Sequence, residues 1–442
     1  MTGRRAIACL TLASLVGLAA PLPSQLTRTE RRIVRHVEAR RDAAVALLER
    51  VVNINSGTMH TAGVRAVGDV FRAEFDALGF TTQWIDGAPF ARAGHLVAHR
   101  GTRGPRILLI GHLDTVFEPD SPFQRFERLS DSTARGPGVV DMKGGDVVIV
   151  EALRALRAAQ ALDDMQIQVV LTGDEERSGH PIGAARAALL AAAEWADIAL
   201  AFENGDSDYR TAVVARRGST SWTLRVTARS AHSSQIFQED VGPGAVFETA
   251  RILHRFQADL SAEPYLTLNP GAIVGGTTLT WDTAQARGTA FGKNNVVAEQ
   301  AFVTGDLRTL SPEQHAAVQA RMRAIVADHQ PHTTAELTFG ESYPPFAPTD
   351  GNRQLLARFD AVSRDLGFGP VGAVDPRQAG AADVSFTTGL VAMAIDGLGT
   401  GGGDDHTVRE WIDLRTLNIQ ITRTAVLLHR LAAWSRPTPS PP

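Results

Sequence analysis

Cysteine is nearly absent, since only Cys9 among 442 residues carries a thiol. It lies in an N-terminal apolar stretch, too early for a lipid-attachment box, so disulfide scaffolding and cysteine catalysis are excluded for the rest of the chain. Lysine is almost as scarce: Lys143 and Lys293 stand alone and arginine supplies the remaining positive charge, which reads as coding bias rather than a phosphate-binding device. Charge of one sign is also lacking. Lys plus Arg number 44 against 48 Asp plus Glu, a net −4 without a one-signed block, which leaves no nucleic-acid footprint and no polybasic membrane patch. Beyond the N-terminus no apolar run is long enough to cross a bilayer.

What is present begins with Arg4 and Arg5, an apolar run at 6–20, and a Pro-containing stretch at 21–24. This is the pattern of a secretory signal at 1–20, cleaved near Ala19 or Ala20, and it predicts a periplasmic or secreted product. A short membrane anchor is the alternative, but ~15 apolar residues make a poor span, so no membrane attachment is expected after cleavage. An exported chain without disulfides must draw on core size or bound metal for stability. At 44% hydrophobic residues and a length beyond the ~300 residues at which single cores stop growing, two domains are expected.

Apolar residues at helical spacing mark 29–52 and 64–78 as surface helices. Four near-continuous apolar runs of strand length follow at 106–110, 166–171, 197–202 and 390–395, which implies a sheet covered on both faces. Helical patterns at 147–159 and 182–193 separate them, the alternation of a parallel α/β sheet. Between 218 and 343 the pattern changes to longer alternating strands at 221–227, 266–274, 296–308 and 335–339, with helices at 244–260 and 312–328. Strand, helix, strand, strand, helix, strand is the order of a ferredoxin-like α+β unit. The expected organisation is an α/β catalytic domain at 28–217 and 344–436, interrupted by a unit at 218–343 and followed by a disordered Pro-rich tail at 437–442. No repeat at a solenoid period is visible.

In an open α/β sheet, ligands gather outside the carboxyl ends of the strands. The first run leads into Gly111-His112-Leu113-Asp114-Thr115, the second into Thr172-Gly173-Asp174-Glu175-Glu176 and the third into Glu203. Asp141 stands in Gly138-Val139-Val140-Asp141-Met142-Lys143 before a helix, and a glycine-rich loop at 399–405 ends at His406. Taken singly each has a bland explanation: a histidine satisfying a strand end, a solvated acidic turn, a helix cap. The glycines at 401–403 lead into no helix, which argues against a phosphate cradle. Independent bland explanations multiply, whereas one metal site accounts for all of them.

Together, His112-Leu113-Asp114-Thr115-Val116, the stretch 138–143, Asp174-Glu175-Glu176, Phe202-Glu203 and His406 resemble, in order and spacing, the motifs of the family containing carboxypeptidase G, aminoacylase and succinyl-diaminopimelate desuccinylase. The resemblance spans about 45–431. It implies a zinc-peptidase-like mixed, largely parallel α/β sheet flanked by helices, with an inserted ferredoxin-like lid and dimerisation domain. It also implies two Zn2+, or another divalent ion such as Co2+ or Mn2+, one held by His112 and Glu203, the other by Glu176 and His406, with Asp141 bridging. Such a pair, ~3.5–4 Å apart, lowers the pKa of a shared water toward ~7 and polarises a scissile carbonyl. Glu175 would be the general base. Asp114 would accept the other N–H of His112. The peptide after the bridging aspartate is often cis in this family.

From the lid, the resemblance gives His232 the task of reaching a partner subunit's active site and steadying the oxyanion, hence a homodimer through the lid. Asn295 and Arg308, with Arg377 and Gly380 from the catalytic side, resemble groups that recognise a substrate carboxylate. Two departures stand out. The stretch Glu341-Ser342-Tyr343-Pro344-Pro345 has no arginine where the glutamate-releasing members carry one, and the usual glycine triplet is thinned to Gly380-Ala381-Ala382. The resemblance is closest to the glutamate carboxypeptidase type, while these departures weigh against glutamate specificity itself. Glu203 as the fourth ligand favours carboxypeptidases and deacylases over aminopeptidases. The expected function is a two-zinc metallocarboxypeptidase acting on small peptides, with an N-acyl amino acid deacylase as the enzyme alternative. A single-metal enzyme and a non-catalytic zinc-dependent binding protein are more remote, because the base and all five ligand positions are intact.

Overall fold

Alternate residues of the strand Arg106–His112 feed two different cores. Ile107 and Leu109 pack with helices on one face, while Leu108 and Ile110 pack on the other with Leu189, Ala192 and Phe386. A strand buried on both sides reads as one continuous apolar run, which is why it was legible. The computed structural model describes residues 26–435 except residue 284. The expected signal and the tail at 437–442 lie outside the described residues.

The strand belongs to a six-stranded sheet ordered Thr81–Asp86, Gly94–Arg100, Gln166–Thr172, Arg106–His112, Ile198–Ala201, Met393–Ile395. Neighbours from Gln166–Thr172 onward are parallel, and Gly94–Arg100 joins antiparallel at one side. All carboxyl ends of the parallel strands therefore open on one rim. One face is covered by the helices Arg28–Ala39, Arg41–Val52, Lys143–Ala158 and Leu414–Leu431, which pack on each other. Lys143–Ala158 is buried along most of its length, with Val147, Val148, Ile149 and Val150 fully enclosed. Its start approaches the sheet so closely that a Cβ on Gly145 would lie 2.1 Å from the Phe202 carbonyl oxygen.

A second core lies in the inserted segment. Four antiparallel strands are ordered Thr267–Gly276, Gln300–Arg308, Ser219–Ala228, Thr333–Tyr343, and the helices Gly244–Leu260 and Pro312–Ala327 cover one face. Trp222, Leu224 and Val226 alternate inward along Ser219–Ala228 to meet Ile252, Phe256 and Met322. Ser311 starts the second helix by accepting from Gln314 N at 3.1 Å ahead of Pro312.

Several features depart from the sequence-based expectation, among them the helices Asp350–Asp365 and Leu414–Leu431, which it did not include, and the helix expected at 182–193, which is broken at Arg186. The helix expected at 29–52 is broken at Arg40 (φ −108°, ψ 6°), where the guanidinium is anchored on buried Glu151 at 2.8 and 3.0 Å. The strand expected from 296 starts at Gln300, because Val296 and Val297 bond to the loop at 231–232 instead. The hairpin Thr278–Asp282 and Arg287–Phe291, and the strands Thr81–Asp86 and Gly94–Arg100, have no counterpart in the sequence reading. The hairpin is largely exposed, so it carries no apolar run to announce it. Among the described residues no helix is long and apolar enough to cross a membrane.

Candidate metal centre

His112 ends its strand, and the residue before it has to be small: a Cβ on Gly111 would lie 2.2 Å from Asp146 Oδ1. The imidazole is fully enclosed. Its Nδ1 lies 3.1 Å from the Asp114 backbone carbonyl and 3.4 Å from Asp114 Oδ1, so the carbonyl, rather than the carboxylate expected from the sequence, is the nearer acceptor. Either contact puts the proton on Nδ1 and leaves Nε2 as a lone-pair donor. The Asp114 carboxylate is occupied elsewhere. It accepts from Thr58 Oγ1 at 2.7 Å and from the backbone N–H groups of Glu175 and Glu176 at 3.1 and 3.2 Å.

His112 Nε2 faces Asp141 Oδ1 at 3.1 Å and Glu203 Oε1 at 3.2 Å. On the other side His406 Nε2 faces Asp141 Oδ2 at 3.1 Å and Glu176 Oε2 at 3.1 Å. The two oxygens of Asp141 are thus divided between two histidines, each of which is joined by a second carboxylate. Two donors of one tetrahedral zinc, each ~2.0–2.1 Å from the ion, stand about 3.3–3.4 Å apart, close to all four spacings. Glu175 offers a carboxylate oxygen within 4.8 Å of donor atoms of His112 and Glu203. The Asp141–Met142 peptide is cis, and His406 holds a left-handed backbone at φ 59°.

Charge makes the same demand. Asp141, Glu175, Glu176 and Glu203 bring four carboxylates into one pocket. Burial, then Glu203, pushes Glu175 well above the usual carboxylate range. Burial and Asp141 raise Glu203 and carry Glu176 to about 7. For Asp141 burial acts upward but is outweighed by hydrogen bonds from His112 and His406, which hold it low. Burial acts downward on His112 and is overcome by Glu203, Asp114 and Asp141, so its pKa stands well above 6.5. His406 is pushed to about 11 by its bonds to Asp141 and Glu176. Glu176 Oε1 is buried with no hydrogen-bond partner. Two divalent cations would balance four carboxylates and use that free oxygen.

A family model described as Peptidase family M20/M25/M40 matches residues 108–430, most of the chain and every residue of this pocket. The chain belongs to this peptidase family. Among curated relatives, carboxypeptidase G2 of Pseudomonas sp. (strain RS-16) is 24% identical over 394 residues, covering 88% of this chain and 90% of that one. Succinyl-diaminopimelate desuccinylase of Dechloromonas aromatica (strain RCB) is 27% identical over 313 residues, covering 68% and 76%. A solved Bacillus subtilis protein described as a dinuclear metal-binding peptidase of the M20 family superposes with a TM-score of 0.62 at 15% identity, covering 89% of this chain and 98% of that one. The chain is an M20 hydrolase, and its fold is the one shared with those metallopeptidases.

Three residues that shape the pocket of this M20 enzyme were not singled out from the sequence. Buried Glu410 accepts from the backbone N–H groups of Gly138, Val140 and Asp141 at 3.1, 2.9 and 3.2 Å, which fixes the loop that presents Asp141. Asp396 accepts from Glu203 N at 3.2 Å and from Arg216 Nε at 2.7 Å. Arg216 also donates to the Gly380 carbonyl at 2.9 Å. Asp396 directly follows an apolar strand, so the strand-end rule that found Glu203 could have found it. Nothing in the sequence pattern marks Glu410 or Arg216.

Other expected residues have their partners away from the pocket. His232 is exposed on the inserted unit and bonds Ser234 Oγ at 2.8 Å through Nδ1. Asn295 stands beside it, its carbonyl accepting from Ser233 N at 2.9 Å. Arg308 pairs with Asp306 at 2.7 Å, and Arg377 with Asp375 at 3.5 Å while lying over the Tyr265 ring. The Arg217 guanidinium donates to the Arg377 carbonyl at 3.2 Å and to Thr267 Oγ1, on the strand Thr267–Gly276, at 2.5 Å.

Proposed function

We propose that this M20 enzyme is a metallocarboxypeptidase, cleaving the amide bond next to a C-terminal amino acid whose carboxylate is free. The observation that carries the reading is the division of Asp141 between two histidine–carboxylate pairs. In this reading His112 and Glu203 hold one divalent cation, Glu176 and His406 the other, and Asp141 both; zinc fits the mixed nitrogen and oxygen donors. Bound there, the cations would supply an acidified water and a polarised carbonyl.

The remaining work falls to the chain. Glu175, next to Glu176 in the chain and within 4.8 Å of donor atoms of His112 and Glu203, is placed to take a proton from water and return it to the departing nitrogen. Asp114 holds the peptide N–H groups of Glu175 and Glu176, so base and ligand are set by one carboxylate. We assign carboxylate recognition to Asn295, Arg308, Arg377 and the Gly380 loop, with His232 serving a neighbouring subunit of a homodimer joined through the segment 218–343. An exported, periplasmic or secreted product completes the proposal. Similarity to carboxypeptidase G2 supports the choice of substrate side, and similarity to a desuccinylase keeps the N-acyl amino acid deacylase as the second reading.

The test is a panel of folate-like, peptidyl and fatty-acyl amino acids digested by the metal-loaded protein and read by mass spectrometry. Release of C-terminal residues from the peptidyl and folate-like members is expected, and cleavage of the acylated members alone would replace the first reading by the second. Alongside it, Glu175→Gln should lower kcat by ~10²–10⁴-fold while two equivalents of metal stay bound. Undiminished turnover in that variant would remove Glu175 from the chemistry.

A further inference from the structure

Glu175 and Glu176 ride on a loop that side chains from several other segments hold in place. Asp114 takes two of its backbone N–H groups, as described above. Within the loop, Asp174 accepts from Gly179 N at 2.7 Å and pairs with Arg186 at 2.5 Å, and His95 Nδ1 accepts from Gly173 N at 3.2 Å. Arg186, fully buried, also donates through Nε to Asp383 Oδ1 at 2.7 Å, and Asp383 Oδ2 accepts from the Thr172 hydroxyl at 2.6 Å.

The same guanidinium donates to the hydroxyl of Tyr343. That hydroxyl lies 2.9 Å from Ser178 Oγ and within donating reach of Asp383 Oδ1 at 3.2 Å and, more weakly, of the Glu175 carbonyl at 3.5 Å. Burial, then Asp383, keeps its pKa well above 10, so it retains the proton it donates. Tyr343 is the last residue of Thr333–Tyr343, where it pairs with Ser219, so it belongs to the inserted sheet. Two residues earlier, Glu341 Oε2 accepts from Ile182 N at 3.0 Å and meets His180 Nδ1 at 2.7 Å. The last strand of the lid therefore grips the base's loop at two points.

We propose that Arg186, Asp383 and Tyr343 are positioning residues for Glu175, and that Tyr343 ties the placement of the lid strand to the placement of that base. The inference rests on Glu175 being the general base. The Glu175 peptide N–H is held by Asp114, and its carbonyl lies 3.5 Å from the Tyr343 hydroxyl, which is itself held by Arg186 and Asp383, so the base's backbone starts from a set point. A buried guanidinium shared by two carboxylates and a hydroxyl makes that set point stiff, because displacing one member strands charge on the others. It also gives a use to the segment 341–345, where the family resemblance led one to look for an arginine.

Tyr343→Phe removes a single oxygen, and Arg186→Lys keeps the charge while losing the fork that serves five acceptor atoms. Both are to be made in the full chain, loaded with metal, and assayed on whichever substrate the wild-type protein turns over. Misplacing a catalytic group by ~1 Å can cost on the order of 10²-fold. Accordingly, Tyr343→Phe is expected to lower kcat about 10-fold, with KM within about threefold of wild type and metal content unchanged, and Arg186→Lys to lower kcat further. A kcat for Tyr343→Phe within about twofold of wild type would overturn the proposal, as would loss of metal in step with loss of activity. Should Arg186→Lys fail to fold, Tyr343→Phe decides alone. A wild-type protein inactive on every amide of the panel would sink the reading of the site itself, whereas an active wild type with an equally active Tyr343→Phe sinks only this inference.

Discussion

Each oxygen of Asp141 faces a different histidine, and each histidine meets a second carboxylate, so in the proposed two-cation reading single residues would set how many cations fit and where. Asp114 works one step back, ordering the Glu175–Glu176 peptide groups and contacting His112. Asp114→Asn keeps the shape and loses the charge; metal affinity is expected to fall ~10–100-fold, measured by competition with a chelator, and an unchanged affinity would refute that role. A pH effect follows from the same residues. Without metal, His406 binds a proton up to about 11 and His112 well above 6.5, so at neutral pH a cation must displace those protons. Metal affinity should therefore rise as pH rises from about 5.5 to 8, with protons released on binding in calorimetry across buffers of different ionisation enthalpy. No proton release would contradict it.

At the scale of elements, the pocket exists because one buried helix starts beneath one strand end. Lys143–Ala158 delivers Asp141 from its N-terminal side, and Gly145 lets the helix come against the Phe202 carbonyl, next to Glu203. Gly145→Ala should cost about 1–3 kcal/mol of stability through overpacking, seen as a lower Tm, and weaken metal binding as well, since Asp141 and Glu203 would be pushed apart. A variant as stable and as metal-avid as the wild type would show that the helix can retreat without consequence. The strands on either side were legible because burial on both faces makes them continuous apolar runs, and their carboxyl ends then pointed to His112, Glu175, Glu176 and Glu203. The exposed hairpin at 278–291 and the edge strand Thr81–Asp86 gave no such signal. Glu410 escaped notice because its importance lies in three backbone N–H groups about 270 residues away in the chain.

At the scale of the whole molecule, the inserted unit has its own core and presents exposed apolar side chains, among them Phe237, Val246, Phe247 and Ile273. Phe237 and Phe247 meet edge to face, and Val246 abuts Gly275 of the outer strand Thr267–Gly276. Such a surface beside an open strand edge suits the proposed homodimer. Phe247→Glu should convert a dimer to monomer in light scattering coupled to size exclusion and, if His232 serves the neighbouring subunit, lower kcat at the same time. A wild-type monomer, or a monomeric variant with full activity, would remove the partner from the mechanism.

The amino-acid sequence alone determined the sheet class, the inserted α+β unit and the set of residues at the strand ends, because two-sided burial and strand order leave periodic traces along a chain. It also carried the family motifs. Only the tertiary structure decided which oxygen of Asp141 faces which histidine, that the Asp114 carbonyl rather than its carboxylate is nearest His112, and that Glu410 and Asp396 bond the peptides of Asp141 and Glu203 while Arg186 and Tyr343 meet beside Asp174 and Asp383. Those are contacts between residues far apart in the chain, formed by single polar side chains, and a polar residue without periodicity leaves no mark of what it will meet.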